Sequence, residues 1–147
     1  MFSSRIRAGV RSGLVSAAAT AGAIIGFSAR HNDWAGPFAS LGSQVMQGLG
    51  VAAAPRFFLS AVGAAAHVSW MVIWGIAFAT LAHGKTAATA MLVAALVGMG
   101  AMLAALTLVP AAMGAVTFAA MPAIQAALCV ALMSAGLVTG RALSPTD

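Results

Sequence analysis

Three long stretches of this 147-residue chain contain no Asp, Glu, Lys or Arg: 57–82, 86–109 and 118–140. Each is long enough to cross a bilayer as an α-helix, which takes about 20 mostly apolar residues. A fourth and weaker segment, 14–29, is apolar but is interrupted by serine, threonine and glycine. The sequence therefore predicts an all-α integral membrane protein, a four-helix bundle in which residues 1–147 form a single transmembrane domain.

The overall composition excludes the other broad classes of protein. Hydrophobic residues make up 62% of the chain and charged residues 6%, whereas about a quarter of the residues of a soluble domain are charged. A disordered chain also needs more charge and less apolar surface than this. The basic residues stand at the ends of the apolar segments and form no patch interleaved with aromatic residues, so we expect the lipid bilayer, and no nucleic acid, as a partner.

The distribution of Lys and Arg predicts the orientation, because cytoplasmic ends of membrane helices carry the excess of these residues. With a cytoplasmic N-terminus, the residues on the cytoplasmic side are Arg5, Arg7, Arg11, Lys85 and Arg141, and those on the outer side are Arg30 and Arg56. This bias agrees with an even number of crossings. We therefore expect a multi-pass protein of a bacterial inner membrane with both termini in the cytoplasm.

The first apolar segment has an alternative interpretation as a cleaved signal peptide, because it follows three arginines. Signal peptidase requires small residues at positions −3 and −1 of the cut. A cut after Ala29 would put Phe27 at position −3. We therefore expect the segment to be retained, and a mature protein of three helices is the alternative.

The connections between the segments also carry information. Residues 30–55 form the longest connection, and four apolar residues recur in it at helical spacing: Phe38, Leu41, Val45 and Leu49. This pattern predicts an outer amphipathic helix that lies in the interface or re-enters the bundle, with Trp34 as an interfacial anchor. Asp33 can pair with Arg30 or with Arg56 at the outer rim.

Two shorter connections follow. Residues 83–85 make so tight a turn that the flanking segments must be antiparallel neighbours. Residues 110–122 carry no charge and predict a short outer hairpin close to the membrane.

Two Gly-x-x-x-Gly patterns suggest close helix packing, which in lipid depends on small side chains. Gly22 and Gly26 lie late in the first segment, and Gly136 and Gly140 lie late in the fourth. Either pair can serve contacts within the bundle. Alternatively, one such face builds a homo-oligomer or docks a partner membrane subunit.

The absence of acidic residues from the apolar segments excludes several kinds of transport and metal chemistry. Asp33 and Asp147 are the acidic residues of the chain, and neither lies in an apolar segment, whereas proton-coupled exporters and carboxylate metal sites require acidic residues there. The single cysteine, Cys129, excludes a disulfide framework and is interpreted as a small packing residue. We therefore expect no catalytic residue and no enzymatic activity.

His67 is the one ionisable side chain predicted near the bilayer centre, about 16 Å along the second segment at about 1.5 Å per residue. Such residues are rare in lipid and suggest function. On a helix it shares a face with Trp70, Met71 and Trp74. One interpretation is structural: a neutral imidazole bonded to a hydroxyl or carbonyl group.

Two other interpretations give His67 a ligand. In the first, His67 binds haem or a quinone between the walls of Trp70 and Trp74, although haem would need a methionine or a second subunit for its other axial ligand. In the second, a soft-metal site for Cu(I) uses an imidazole and thioethers. Its candidate metal ligands are His67, Met71, Met99 and Met102.

These observations favour a small non-enzymatic integral membrane protein, either an accessory or assembly subunit or one protomer of an oligomer. No cofactor is expected under that hypothesis. The alternative is a small transporter, or a membrane protein that binds haem, a quinone or copper at His67.

Overall fold

The structure, a computed structural model, describes residues 2–30, 32–51, 53–113 and 123–143. These residues form five helices: α1 (Phe2–Ala29), α2 (Gly36–Gly48), α3 (Arg56–Leu81), α4 (Ala87–Met113) and α5 (Ala123–Ala142). The described residues contain no strand. All but α2 include a stretch long and apolar enough to cross a membrane, with mean hydropathies between 1.4 and 2.0. For these described residues, the prediction of an all-helical fold with four helices long and apolar enough to span a membrane is confirmed.

Two helices are longer than the apolar segments that predicted them. α1 begins at Phe2 rather than near residue 14, because arginine favours helix and its long side chain lets a helix continue from lipid into the headgroup region. α4 passes through Pro110 to Met113, and proline is tolerated in membrane helices since neighbouring groups compensate for its missing N–H. Residues 114–122, which hold most of the expected hairpin and the expected start of the fourth span, lie outside the described residues, as do His31 and Asp147.

Within the bundle, α1 is the central helix. It packs against α3 on one side and α5 on another, while α2 lies on α3 and α4 lies on α5. The turn at 82–86 makes α3 and α4 neighbours, as expected, but their backbones contact each other less than those of the other packed pairs. Gly84 in this turn has a φ of +67°, a conformation that glycine adopts without strain.

Glycines bring the spanning helices into close contact. A Cβ atom at Gly13 of α1 would lie 2.6 Å from the carbonyl oxygen of Met71 in α3. On α5, a Cβ atom at Gly136 would lie 2.6 Å from the Cα of Ser16 in α1, and Gly140 approaches Ser12 in the same way. The Gly136 and Gly140 pattern is therefore used within the chain.

Large and small side chains are distributed in the opposite way to those of a soluble protein. Buried positions are mostly alanine, glycine and serine, whereas large apolar side chains such as Ile73, Leu92, Leu103 and Ile124 are exposed. Lipid tails are as apolar as leucine, so large side chains lose nothing by facing them and small ones allow helices to approach. The surface of the bundle is thus suited to lipid.

The connection 30–55 contains the expected helix, but its buried face differs from the apolar stripe. Ala39, Gly42 and Gln44 are buried, whereas Leu49 follows the helix and is 73% exposed. Gly42 meets α3 so closely that an added Cβ would overlap the carbonyl oxygen of Leu59. A small-residue contact at Gly42 therefore brings α2 close to α3.

An ion pair closes this connection. Of the two expected pairings of Asp33, the structure shows the one with Arg56 at the start of α3. Both side chains are at least half exposed. Trp34, the expected interfacial anchor, is also exposed.

Candidate functional site

The candidate site is built around His67, which lies near the middle of the 26-residue helix α3. The side chain is 6% exposed. An imidazole this deep in the bundle needs a hydrogen-bond partner, because an unpaired polar group in an apolar medium is costly.

That partner is Thr20 of α1. The Thr20 hydroxyl group lies 2.8 Å from the carbonyl oxygen of Ser16. Its oxygen also lies 3.0 Å from Nε2 of His67. When the hydroxyl hydrogen is directed to Ser16, the donor is Nε2–H of His67 and Nδ1 has a lone pair; when it is directed to His67, Nε2 is the acceptor.

The ring of Phe38 completes the packing of the imidazole. It meets the His67 ring edge-to-face, with the centroids 5.8 Å apart and the planes at 74°. Phe38 belongs to α2, so the helix of the outer connection also contributes to the surroundings of His67.

A row of hydroxyl groups runs along α1 and was not anticipated from the sequence. Ser12, Ser16 and Thr20 are all almost completely buried. The Ser16 hydroxyl donates to the carbonyl oxygen of Met133 in α5, 3.0 Å away. The spacing of four residues, which places the three side chains on one helix face, was the available signal. Two of them, Ser16 and Thr20, had been interpreted as weakening the first span.

Beside His67 lies a cavity of about 50 Å³. It is bounded by residues of all four spanning helices: Thr20, Ile24, His67, Trp70, Met71, Gly98, Ala101, Met102, Ala105, Cys129, Val130 and Met133. Thr20 and His67 are the principal polar groups of this otherwise apolar and sulfur-rich lining.

The predicted site residues divide into two groups. His67, Trp70, Met71 and Met102 line the cavity. Trp74 stacks edge-to-face on Trp70, with the ring centroids 5.8 Å apart, and contacts Gly100 outside the lining.

Met99 does not belong to the cavity. Its side chain is 51% exposed, and it is not among the residues that line the cavity. Residues three apart on a helix are neighbours, so Met99 lies beside Met102 on α4, but its side chain is on the exposed side.

Two further sulfur-bearing residues face the cavity that the sequence had not assigned to it. Cys129 and Met133 of α5 are 7% and 3% exposed, and both line the cavity. Their spacing of four residues indicates a shared helix face. The sequence could not indicate that this face turns toward His67.

The size and the side chains of the cavity limit its ligands. At about 50 Å³ the cavity is smaller than an apolar cavity of about 150 Å³ that binds benzene. Among the described ranges, no three His, Cys, Asp or Glu side chains come together as a metal site. A metal bound here would therefore depend on thioethers.

Comparisons with protein-family models, curated proteins and solved structures find no match to this chain.

Proposed function

We propose that this chain is a small non-enzymatic integral membrane protein that binds a small ligand in the cavity beside His67. The observation that carries the proposal is the meeting of a buried imidazole with a cavity formed by four membrane-spanning helices. Ligand sites are typically concave and apolar, with a few polar groups that orient the ligand. The pair of Thr20 and His67 supplies such groups.

A purely structural histidine favours a different environment. Such a residue would be hydrogen-bonded and closely packed on all sides, because interiors are dense and voids cost stability. His67 is hydrogen-bonded but borders a partly open cavity. This combination supports a binding role over a packing role.

We infer that the protein lies in a bacterial inner membrane with both termini in the cytoplasm. α1 runs antiparallel to α3 and α5, because Gly9 contacts Ile76 and Gly140 contacts Ser12. One end of the bundle therefore carries the three arginines of α1 together with Lys85 and Arg141, where the Arg141 guanidinium donates to the Lys85 carbonyl oxygen at 2.8 Å. The excess of basic residues at this end supports a cytoplasmic location for it.

We infer further that α2 re-enters the membrane from the outer side. Gly63 contacts the backbone of Phe38, and Phe38 reaches His67 near the middle of α3. A helix lying flat on the surface would not reach this depth. Since non-spanning backbone at membrane depth must be buried against protein, the close contact of Gly42 with α3 supports re-entry.

The role of α1 supports its retention in the mature protein. It supplies the hydroxyl group that orients His67, and it contacts both α3 and α5. Removal of residues 2–29 as a signal peptide would open the cavity on one side, so we expect the purified protein to include them.

The test compares the purified wild-type protein with two variants in which an alanine of α4 is replaced by leucine. Ala101 lines the cavity, and Ala101→Leu should fill it. Ala104, three residues further along, does not line the cavity, so Ala104→Leu is the matched control. Native mass spectrometry with elemental analysis should find a bound molecule or ion in the wild type and in Ala104→Leu, and not in Ala101→Leu. Equal occupancy in all three proteins, or none in the wild type, would contradict the proposal.

A second candidate function is that of an accessory subunit or oligomer protomer. Gly22 and Gly26 of α1 favour it, because within the described part of the chain nothing lies within 4 Å of a Cβ placed at either residue. This open small-residue face would allow another membrane helix to approach closely.

A further inference from the structure

We propose that the ligand of the cavity is Cu(I), bound by the sulfur atoms of Cys129, Met102 and Met133 together with His67. The inference rests on the proposed function and names its ligand. Its observation is that three spanning helices bring a thiol, thioethers and an imidazole to one cavity of about 50 Å³.

The chemistry of these side chains selects the metal. Thiolate and thioether ligands are soft and favour Cu(I), whereas Mg²⁺ and Ca²⁺ require oxygen ligands. No carboxylate is among the residues that line the cavity in the described part of the chain. Zinc sites take four ligands from thiolate, imidazole and carboxylate groups, and this cavity offers one thiol and one imidazole.

The hydrogen bond of His67 suits a metal ligand. A histidine that binds a metal through one nitrogen donates the N–H of the other to a neighbouring acceptor, which fixes its tautomer. In the tautomer in which Nε2–H donates to Thr20, Nδ1 has the lone pair with which to bind the ion. Thr20 is therefore a positioning residue for His67.

Charge also favours a monovalent ion. An uncompensated charge in an apolar interior is unfavourable by many kcal/mol. When Cu(I) binds, the Cys129 thiol gives up its proton, a copper–sulfur bond replaces the sulfur–hydrogen bond, and no electron is transferred. Because thiolate and Cu(I) have opposite unit charges, the occupied site remains neutral, and one proton leaves for each ion bound.

The experiment titrates the purified full-length protein with Cu(I) in detergent, without oxygen, against a chromogenic Cu(I) chelator. We expect one Cu(I) per chain and the release of one proton. Met102→Leu should weaken binding about 10-fold or more, since even loss of an outer-shell partner costs about 10- to 100-fold. Met99→Leu is the matched control, because it removes a thioether of the same helix that lies outside the cavity, and it should bind Cu(I) as tightly as the wild type.

Cys129→Ala tests the proton balance. In this variant any residual Cu(I) binding should proceed without proton release. Should the variants fail to fold, X-ray absorption of the copper-loaded wild type gives a second measurement, in which sulfur neighbours are expected and a shell of oxygen or nitrogen alone would overturn the assignment.

Three results separate this inference from the proposed function. No Cu(I) uptake by the wild type, or equal weakening by Met99→Leu and Met102→Leu, overturns the copper site. If an organic molecule is then found that Ala101→Leu loses, the proposed function stands and copper does not. If neither copper nor any molecule is bound, both are overturned.

Discussion

Thr20 and His67 form a buried polar contact between α1 and α3. The Thr20 hydroxyl group lies within hydrogen-bond distance of both the imidazole and the Ser16 carbonyl oxygen of its own helix. Hydrogen bonds between membrane helices contribute about 0.6 kcal/mol on average and at most about 1.7 kcal/mol. The contribution of this bond to stability is therefore modest, and orientation of the imidazole is its main effect.

Replacing Thr20 tests this contact. We expect Thr20→Val to lower the free energy of unfolding by about 0.6 to 1.7 kcal/mol, because His67 loses its hydrogen-bond partner, and Thr20→Ser to preserve most of it. Unfolding in mixed detergent micelles measures the change. Thr80→Val is the control, because the Thr80 hydroxyl bonds to Ala77 of its own helix and is exposed. A loss as large at Thr80 would show that the Thr20 effect does not come from His67.

The residues of the site were predictable to different degrees. His67 stands out because a histidine in an uncharged apolar run is unusual, and its helical face follows from spacing alone. The role of Cys129 and Met133 depends on how α5 is rotated against α1, which is decided by the contacts of Gly136 and Gly140 with serine. In an apolar helix no amphipathic pattern marks the inner face, so the sequence does not show this rotation.

At the level of the helices, the two Gly-x-x-x-Gly patterns have different surroundings. Gly140 is buried against Ser12, whereas Gly22 is exposed and has open space around it in the described structure. The same sequence motif therefore makes a close helix contact in α5 and lies on an open surface in α1.

This difference can be tested with a matched pair of variants, one in each motif. Gly140→Leu should destabilise the folded chain by about 1–3 kcal/mol or more, because its side chain would overlap α1, whereas Gly22→Leu should leave the free energy of unfolding of the monomer unchanged. If α1 docks a second copy, Gly22→Leu will instead lower the molecular mass measured by light scattering. An equal loss of stability in both variants would contradict the packing of α1 against α5.

For α3 and α4, the ends of the helices were predicted better than the question of which helix faces are buried. The apolar runs locate α3 and α4 within a few residues, because lipid requires an uninterrupted apolar stretch. The apolar stripe of α2 did not indicate its most buried residues, which are Ala39, Gly42 and Gln44. In a chain surrounded by lipid, the small residues are the better guide to burial.

For the whole molecule, the end that carries Lys85 and Arg141 should face the cytoplasm. Fusion of a reporter that fluoresces only in the cytoplasm should give signal after residue 143, and a reporter active only outside should give signal when inserted near Gly50, whose φ of +79° marks an exposed turn. The reverse pattern would contradict the proposed orientation. Replacing Arg7 and Arg11 with glutamine should increase the fraction of inverted molecules.

The central position of α1 has a consequence for how the protein is made. Chains fold from the N-terminus during synthesis, so α1 and α3 can pair through their glycines while α5 is still on the ribosome. Until α5 arrives, the serines of α1 have no partner helix and the future cavity is an open groove. Docking of the last helix brings Cys129 and Met133 and completes the lining of the cavity. A ligand can therefore enter during biosynthesis, before the last helix is in place.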